Sequence, residues 1–342
     1  MSRWAVILAG GVGSRFWPLS TPRRPKQLLA LVTDTSLLAD SVRRLTPLVA
    51  PERTLILTNA TIATDIAELL PDIPAANIIA EPRAAGTAAA LAWAALEIER
   101  RENGSAVMIC VHADWSIGDE DGFRSVLSRA ADTAERESAL VTVGVVPTRP
   151  DPGFGYIQLA DAVAGAYRVA RFAEKPDVLT AGRMMTDGYL WNSGIFVWRV
   201  KDFLSELRTH TPEVSSALAG NLGIAGFFSA VKTVSVDEGL LERSANVLVI
   251  PGDFQWDDVG TWAALRRVRT RDAGGNAVAG TVHVVQSSGN VVHADGSRVV
   301  LFGVSDLVVV ARDGLTLVTT VEHAADLKAL LDSLPVSLRE QP

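Results

Sequence analysis

The sequence predicts an α/β chain in which a mostly parallel sheet, covered by helices on both faces, is followed by a small β domain. Three observations carry this reading. Apolar runs at 4–9, 54–58, 77–80, 106–111 and 139–145 alternate with helical stretches at 36–49, 60–70, 87–101 and 121–136, as expected of buried strands joined by crossover helices. A turn-rich joint, Asp272-Ala273-Gly274-Gly275-Asn276, marks a change in composition. Beyond it, valine-rich runs recur at 281–286, 290–294, 299–302, 307–311 and 315–319, separated by turns such as Ser287-Ser288-Gly289-Asn290 and Ala294-Asp295-Gly296.

Two domains are expected from this, 1–271 and 276–342, the second closed by a helix at 322–333. Strands so short are expected to stack coil on coil or to pair across a dimer. Between 151 and 262 the pattern is less regular, with short strands and Gly-containing loops.

Bulk properties exclude several function classes. The 342 residues are 48% hydrophobic and 21% charged, ordinary for a globular protein. A net charge of −7 gives no support to general nucleic-acid binding. No apolar stretch approaches the roughly 20 residues that span a membrane, and the first strand begins without a signal-peptide pattern. A cytoplasmic protein with no nucleic-acid or membrane partner is expected. One cysteine, Cys110, excludes an internal disulfide and reads as a buried small hydrophobe. Only five lysines stand against 27 arginines, so a surviving lysine can mark a place where a compact point charge is required.

The densest segment is 8–26. The first strand stops at Gly10-Gly11-Val12-Gly13, where glycines allow a tight turn with N–H groups free to face an anion. Arg15 follows, and Lys26 arrives behind Pro18, Pro22 and Pro25. A phosphate cradle with two cations beside it suits phosphoryl or nucleotidyl transfer. It is not a P-loop, because Ser14-Arg15 follows Gly13, nor a dinucleotide fingerprint, because Phe16 stands where the third glycine belongs.

Gly-Gly-x-Gly-x-Arg-x-x-Pro with a later Pro-Lys resembles the sugar-1-phosphate nucleotidylyltransferases. The wording Phe16-Trp17-Pro18-Leu19-Ser20 is similar to their mannose-1-phosphate guanylyltransferase (GDP-mannose pyrophosphorylase) branch. The resemblance implies a Rossmann-like nucleotidyltransferase domain over 1–271 and a short left-handed β-helix-like tail used for subunit contact, hence a homodimer. It implies transfer of GMP from GTP to α-D-mannose 1-phosphate, giving GDP-mannose and pyrophosphate with Mg²⁺. Such a reaction is mainly positioning and charge neutralisation.

Carried onto this chain, the resemblance makes Arg15 and Lys26 catalytic and gives nucleotide contacts to Leu8, Ala9, Gly10, Gly11, Gly13, Glu81, Gly86 and Thr87. Asp114, straight off a buried strand in His112-Ala113-Asp114, and Asp258, in Trp256-Asp257-Asp258-Val259-Gly260, become the metal carboxylates. Local sequence alone also fits Asp114 as a helix cap. Phe172-Ala173-Glu174-Lys175-Pro176 matches the family's Phe-x-Glu-Lys-Pro, with Lys175 on the sugar phosphate and Glu174 on sugar hydroxyls. Asn192, Gly155 (in Gly153-Phe154-Gly155-Tyr156) and Asp237 complete the acceptor set.

One segment departs from type. Glu81-Pro82-Arg83-Ala84-Ala85-Gly86-Thr87-Ala88 keeps the family's Glu, Pro, Thr and Ala but replaces a basic residue by Ala85 and an amide by Gly86. Another sugar 1-phosphate (manno-heptose or glucose) or another base therefore stands as an alternative. A metal-dependent glycosyltransferase or a non-catalytic nucleotide-sugar-binding homologue are remoter ones. The five histidines lack metal-ligand spacing, and Arg266-Arg267-Arg269-Arg271 reads as a helix face followed by a polar joint.

Overall fold

The structure is a computed structural model that describes residues 1–11, 13–102, 106–220 and 222–339. It divides into two compact units: 1–10, 41–113 and 119–256 in the first, and 11–40, 114–118 and 257–342 in the second.

The first unit is built on a nine-stranded sheet of β1 (Ser2–Leu8), β2 (Thr54–Asn59), β3 (Ile78–Glu81), β4 (Ala106–His112), β5 (Leu140–Val145), β6 (Gly155–Val163), β7 (Ala166–Glu174), β8 (Leu190–Arg199) and β9 (Val247–Gly252). Its order is β3-β2-β1-β4-β8-β5-β9-β7-β6. The sheet is parallel across β1–β4 and between β5 and β9, and antiparallel where β8 enters between β4 and β5. β1 and β4 end level with each other, Leu8 opposite His112, and Glu81 closes β3 on the same side, opposite Asn59. In such sheets ligands gather beyond the carboxyl ends of the strands.

All five expected strands and four expected helices of this half are present. The helix Thr87–Glu102 buries nearly a whole face of alanines, which lets it lie close against the sheet. Its core joins Trp4, Leu55, Leu57, Trp93 and Met108 to Phe196, Trp198 and Phe203. Cys110 lies in this core, as expected.

The second unit carries β10 (Ala277–Val285), β11 (Val291–Phe302), β12 (Leu307–Arg312) and β13 (Leu315–Thr320). This C-terminal sheet has four strands rather than the five expected, because 290–294 and 299–302 belong to one twelve-residue strand. Gly296, at a φ of +69°, turns the corner inside β11, where the register against β10 shifts between Ala279 and Thr281. β10, β11 and β12 pair in parallel, Ala277 with Val291 and Val291 with Val308, so successive coils of chain stack on one another.

A ladder of two buried asparagines, Asn276 and Asn290, links successive coils. Asn276 Oδ1 accepts from the Asn290 amide at 2.8 Å. Asn290 Nδ2 donates to the Val304 carbonyl at 3.2 Å and its Oδ1 accepts from Leu307 N–H at 2.9 Å. The division does not follow the 1–271 and 276–342 partition, for a packing reason. Phe16, Trp17, Leu19, Leu29 and Leu31 share one core with Trp262, Ala277, Val291, Val308 and Leu317. Of the arginine run, Arg266 and Arg267 lie on the short helix Leu265–Val268 and Arg267 and Arg271 are exposed, but Arg269 is buried: it donates to the Leu31 carbonyl at 2.6 Å and pairs with His293 Nδ1 at 2.9 Å.

Candidate active site

The second unit assembles the cations and carboxylates. Pro25, at a φ of −70°, starts a single 3₁₀ turn, Lys26–Leu28, which places the lysine ammonium where only 6% of the residue is exposed. Lys26 Nζ donates to Asp114 Oδ2 at 2.9 Å and to the backbone carbonyl of Asp258 at 2.7 Å. Gly13 is pressed against this turn at a φ of +61°, and a Cβ there would lie 2.4 Å from Lys26 Cβ. Gln27, which the sequence reading passed over, donates to the Gly11 carbonyl at 2.9 Å. The glycine loop and the Pro-Lys turn are thus one device, with open space where Gly11 lacks a side chain.

Asp257 and Asp258 divide their work. Arg267 grips the Asp257 carboxylate at 2.7 and 3.0 Å, and that carboxylate also accepts from Val259 N–H at 2.9 Å. Asp257 is structural. The Asp258 carboxylate reaches toward Gly260, where a Cβ would come within 2.5 Å of its Oδ2 and 3.6 Å of Arg15 Nη1. Arg15 itself reaches the Gly260 carbonyl at 3.5 Å. Arg15, Lys26, Asp114 and Asp258 therefore share one neighbourhood. Among the described residues no group of three or more His, Cys, Asp or Glu could hold a metal ion. Two carboxylates with hard oxygens nevertheless fit Mg²⁺, which binds through one or two carboxylates, substrate phosphates and water.

The first unit carries the other expected residues, in two groups. In the acceptor group, β6 and β7 set Gly155 opposite Glu174, and a Cβ on Gly155 would lie 2.6 Å from Glu174 Oε2. Lys175 Nζ donates to Glu174 Oε1 at 2.6 Å, and this bond holds the ammonium pKa above the usual lysine range. Asn192 Nδ2 donates to Asp237 Oδ1 at 2.6 Å. Its Oδ1 accepts from Thr142, a residue with no sequence signal, at 3.3 Å. Burial, reinforced by the charge of Glu174, raises Asp237 to about 6 although the Asn192 bond opposes it. Asp237 opens a single π-helical turn, Asp237–Leu241, a rare form that is frequent at functional sites.

In the base group, Glu81 is raised to about 7 by burial, and Gly10 backs onto it, a Cβ there falling 3.6 Å from Glu81 Oε1. Leu8 and Ala9 are held by the protein's own backbone: Leu8 O accepts from Ala113 N–H at 3.0 Å, and Ala9 N–H donates to Leu57 O at 2.8 Å. Gly86 and Thr87 face the 234–236 stretch. Arg83 donates to the carbonyls of Phe228 at 2.8 Å and Val231 at 2.5 Å. Ala85, where the family pattern has a basic residue, is fully buried.

Residues 4–274 match the model of a protein family described as Nucleotidyl transferase. A mannose-1-phosphate guanylyltransferase of Escherichia coli (strain K12) is 35% identical over 358 residues, covering 99% of this chain and 74% of that relative. Xanthan biosynthesis protein XanB of Xanthomonas campestris is 36% identical over 352 residues, with 98% and 74% covered. A solved structure, of mannose-1-phosphate geranyltransferase from Thermus thermophilus, superposes with a TM-score of 0.88 at 32% identity, over 97% of this chain and 99% of that one. A family match, relatives aligned over nearly all of this chain and a shared fold agree: the chain is an enzyme and belongs to the nucleotidyl transferase family.

Proposed function

We propose that this enzyme transfers GMP from GTP to α-D-mannose 1-phosphate, releasing pyrophosphate. The observation that carries the reading is Lys26 Nζ, bonded at once to the Asp114 carboxylate and the Asp258 carbonyl. The attacking sugar-phosphate oxygen is already ionised, so no acid–base pair is needed, and the chain's task is to neutralise and align phosphates. Arg15 and Lys26 meet the triphosphate, and the open backbone at Gly11 admits it. Asp114 and Asp258 would hold a divalent cation, here Mg²⁺, which when bound neutralises phosphate charge. Glu174, Asn192 and Asp237 accept or donate to sugar hydroxyls, and Lys175 takes the sugar phosphate. The Glu81 carboxyl accepts from the guanine N1 and N2 donors.

Relatives of 35% identity that carry the mannose-1-phosphate guanylyltransferase name support the substrates. A cytoplasmic homodimer is part of the same proposal. Among the described residues no helix is long and apolar enough to cross a membrane. A second reading, a different nucleotide donor, is favoured by the buried Ala85. Both are tested by pyrophosphate release with Mg²⁺ across GTP, ATP, UTP and dTTP against mannose, glucose and N-acetylglucosamine 1-phosphates. A maximum at GTP with mannose 1-phosphate is expected. A maximum elsewhere moves the substrate, and silence throughout refutes the enzyme assignment for these acceptors.

A further inference from the structure

The base segment does not end at the base. Gly86, at a φ of +82°, lies so close to residues 234–236 that a Cβ would sit 2.2 Å from the Val234 carbonyl oxygen. Ala88 N–H donates to that same carbonyl at 3.3 Å. Between them, the Thr87 hydroxyl accepts the backbone N–H of Val236 at 2.9 Å. Val236 caps the helical turn that begins at Asp237, and the first N–H groups of such a turn must find acceptors outside it. Thr87 supplies one of them. The next side chain is Asp237, already paired with Asn192 at 2.6 Å. Arg83 ties down the segment leading into this stretch through the Phe228 and Val231 carbonyls. Glycine at 86 is therefore explained by a neighbouring backbone, and the threonine hydroxyl is spent on a backbone donor one residue before the acceptor group.

We propose that Thr87 is a positioning residue for the sugar phosphate. Its hydroxyl holds the Val236 backbone so that the Asp237 carboxylate, with Asn192, is presented to sugar hydroxyls. Its contribution is thus read in acceptor binding and not in nucleotide binding. This rests on the assignment of Asn192 and Asp237 to the acceptor made above.

Thr87→Val keeps the branched shape and removes the acceptor oxygen. With the sugar phosphate that the unaltered enzyme uses fastest, its KM for that sugar phosphate is expected to rise roughly tenfold, the effect of stranding one buried donor. The KM for the nucleoside triphosphate stays within about twofold, and Thr87→Ser restores the acceptor KM. A rise confined to the nucleotide, an equal rise in both, or no change in either overturns the assignment. Should thermal unfolding show Thr87→Val misfolded, Val236→Pro removes the donor instead, at a φ of −66° that proline adopts. The same split is expected, and an unchanged sugar-phosphate KM in that variant overturns it.

An unaltered enzyme that releases no pyrophosphate with any sugar phosphate refutes the proposed function separately. Calorimetric titration with mannose 1-phosphate then decides Thr87. Weakened binding in Thr87→Val upholds the positioning role, whereas equal binding, or none by either protein, overturns it.

Discussion

Lys26 and Asp114 stand 88 residues apart in the chain, yet the lysine Nζ lies 2.9 Å from the aspartate Oδ2. The ammonium is thereby aimed before any substrate arrives, and a second bond, to the Asp258 carbonyl, fixes it further. Preorganised charge of this kind needs no reorganisation when phosphate charge builds up.

Lys26→Ala is expected to lower turnover by roughly 10²–10³-fold, the usual cost of losing one preorganised charge-stabilising group. Lys26→Arg should fail nearly as badly, because a planar fork does not reproduce a buried point charge with two acceptors. Steady-state pyrophosphate release measures both. Normal turnover in either variant removes the lysine from the mechanism.

The neighbouring aspartates are expected to fail in different ways. Asp258→Asn should raise the Mg²⁺ concentration needed for half-maximal rate while leaving the unfolding midpoint nearly unchanged. Asp257→Asn loses the charge partner of Arg267 and should lower the unfolding midpoint. Magnesium titration and thermal unfolding of both variants check the division, and a reversed pattern would refute it.

Glu81 predicts a pH dependence of stability. Burial raises its folded pKa from 4.5 to about 7, so over that interval the folded chain keeps a proton that the unfolded chain has released. The contribution is fully present below pH 4.5 and is lost as pH rises through about 7. Glu81→Gln removes the slope, so its unfolding midpoint relative to the unaltered enzyme should climb between pH 5 and pH 8. A difference that stays flat across those buffers would show that burial leaves this carboxyl untouched.

Asn290→Ala should destabilise the second unit by about 1–3 kcal/mol, because the Leu307 N–H and the Asn276 Oδ1 lose a buried partner. Urea unfolding reads this directly. A change within about 0.5 kcal/mol, the scale of an ordinary surface substitution, would mean that the ladder contributes little.

The parallel strands were legible because each is a continuous apolar run ending in a turn signal, and the motif residues because they cluster within short stretches such as 172–176 and 256–260. What escaped is what depends on distant partners. Arg269 reads as part of a polar joint until Leu31 and His293 are seen around it. Thr142 and Gln27 carry no motif, and each matters only through a bond to another part of its unit. The corner at Gly296 looked like a strand end because glycine marks turns, whereas the pairing with β10 resumes at Arg298 and keeps the strand whole.

The shared core of Phe16, Trp17 and Leu29 with Val291, Val308 and Leu317 has a consequence for how the enzyme is made. A ribosome delivers the lysine loop well before the strands that support it. At about 5–20 residues per second, two large aromatics, Phe16 and Trp17, wait for their packing partners. A nascent chain that has not yet reached Val291, Val308 and Leu317 therefore carries an exposed apolar surface around the lysine loop, the kind of surface that chaperones shield.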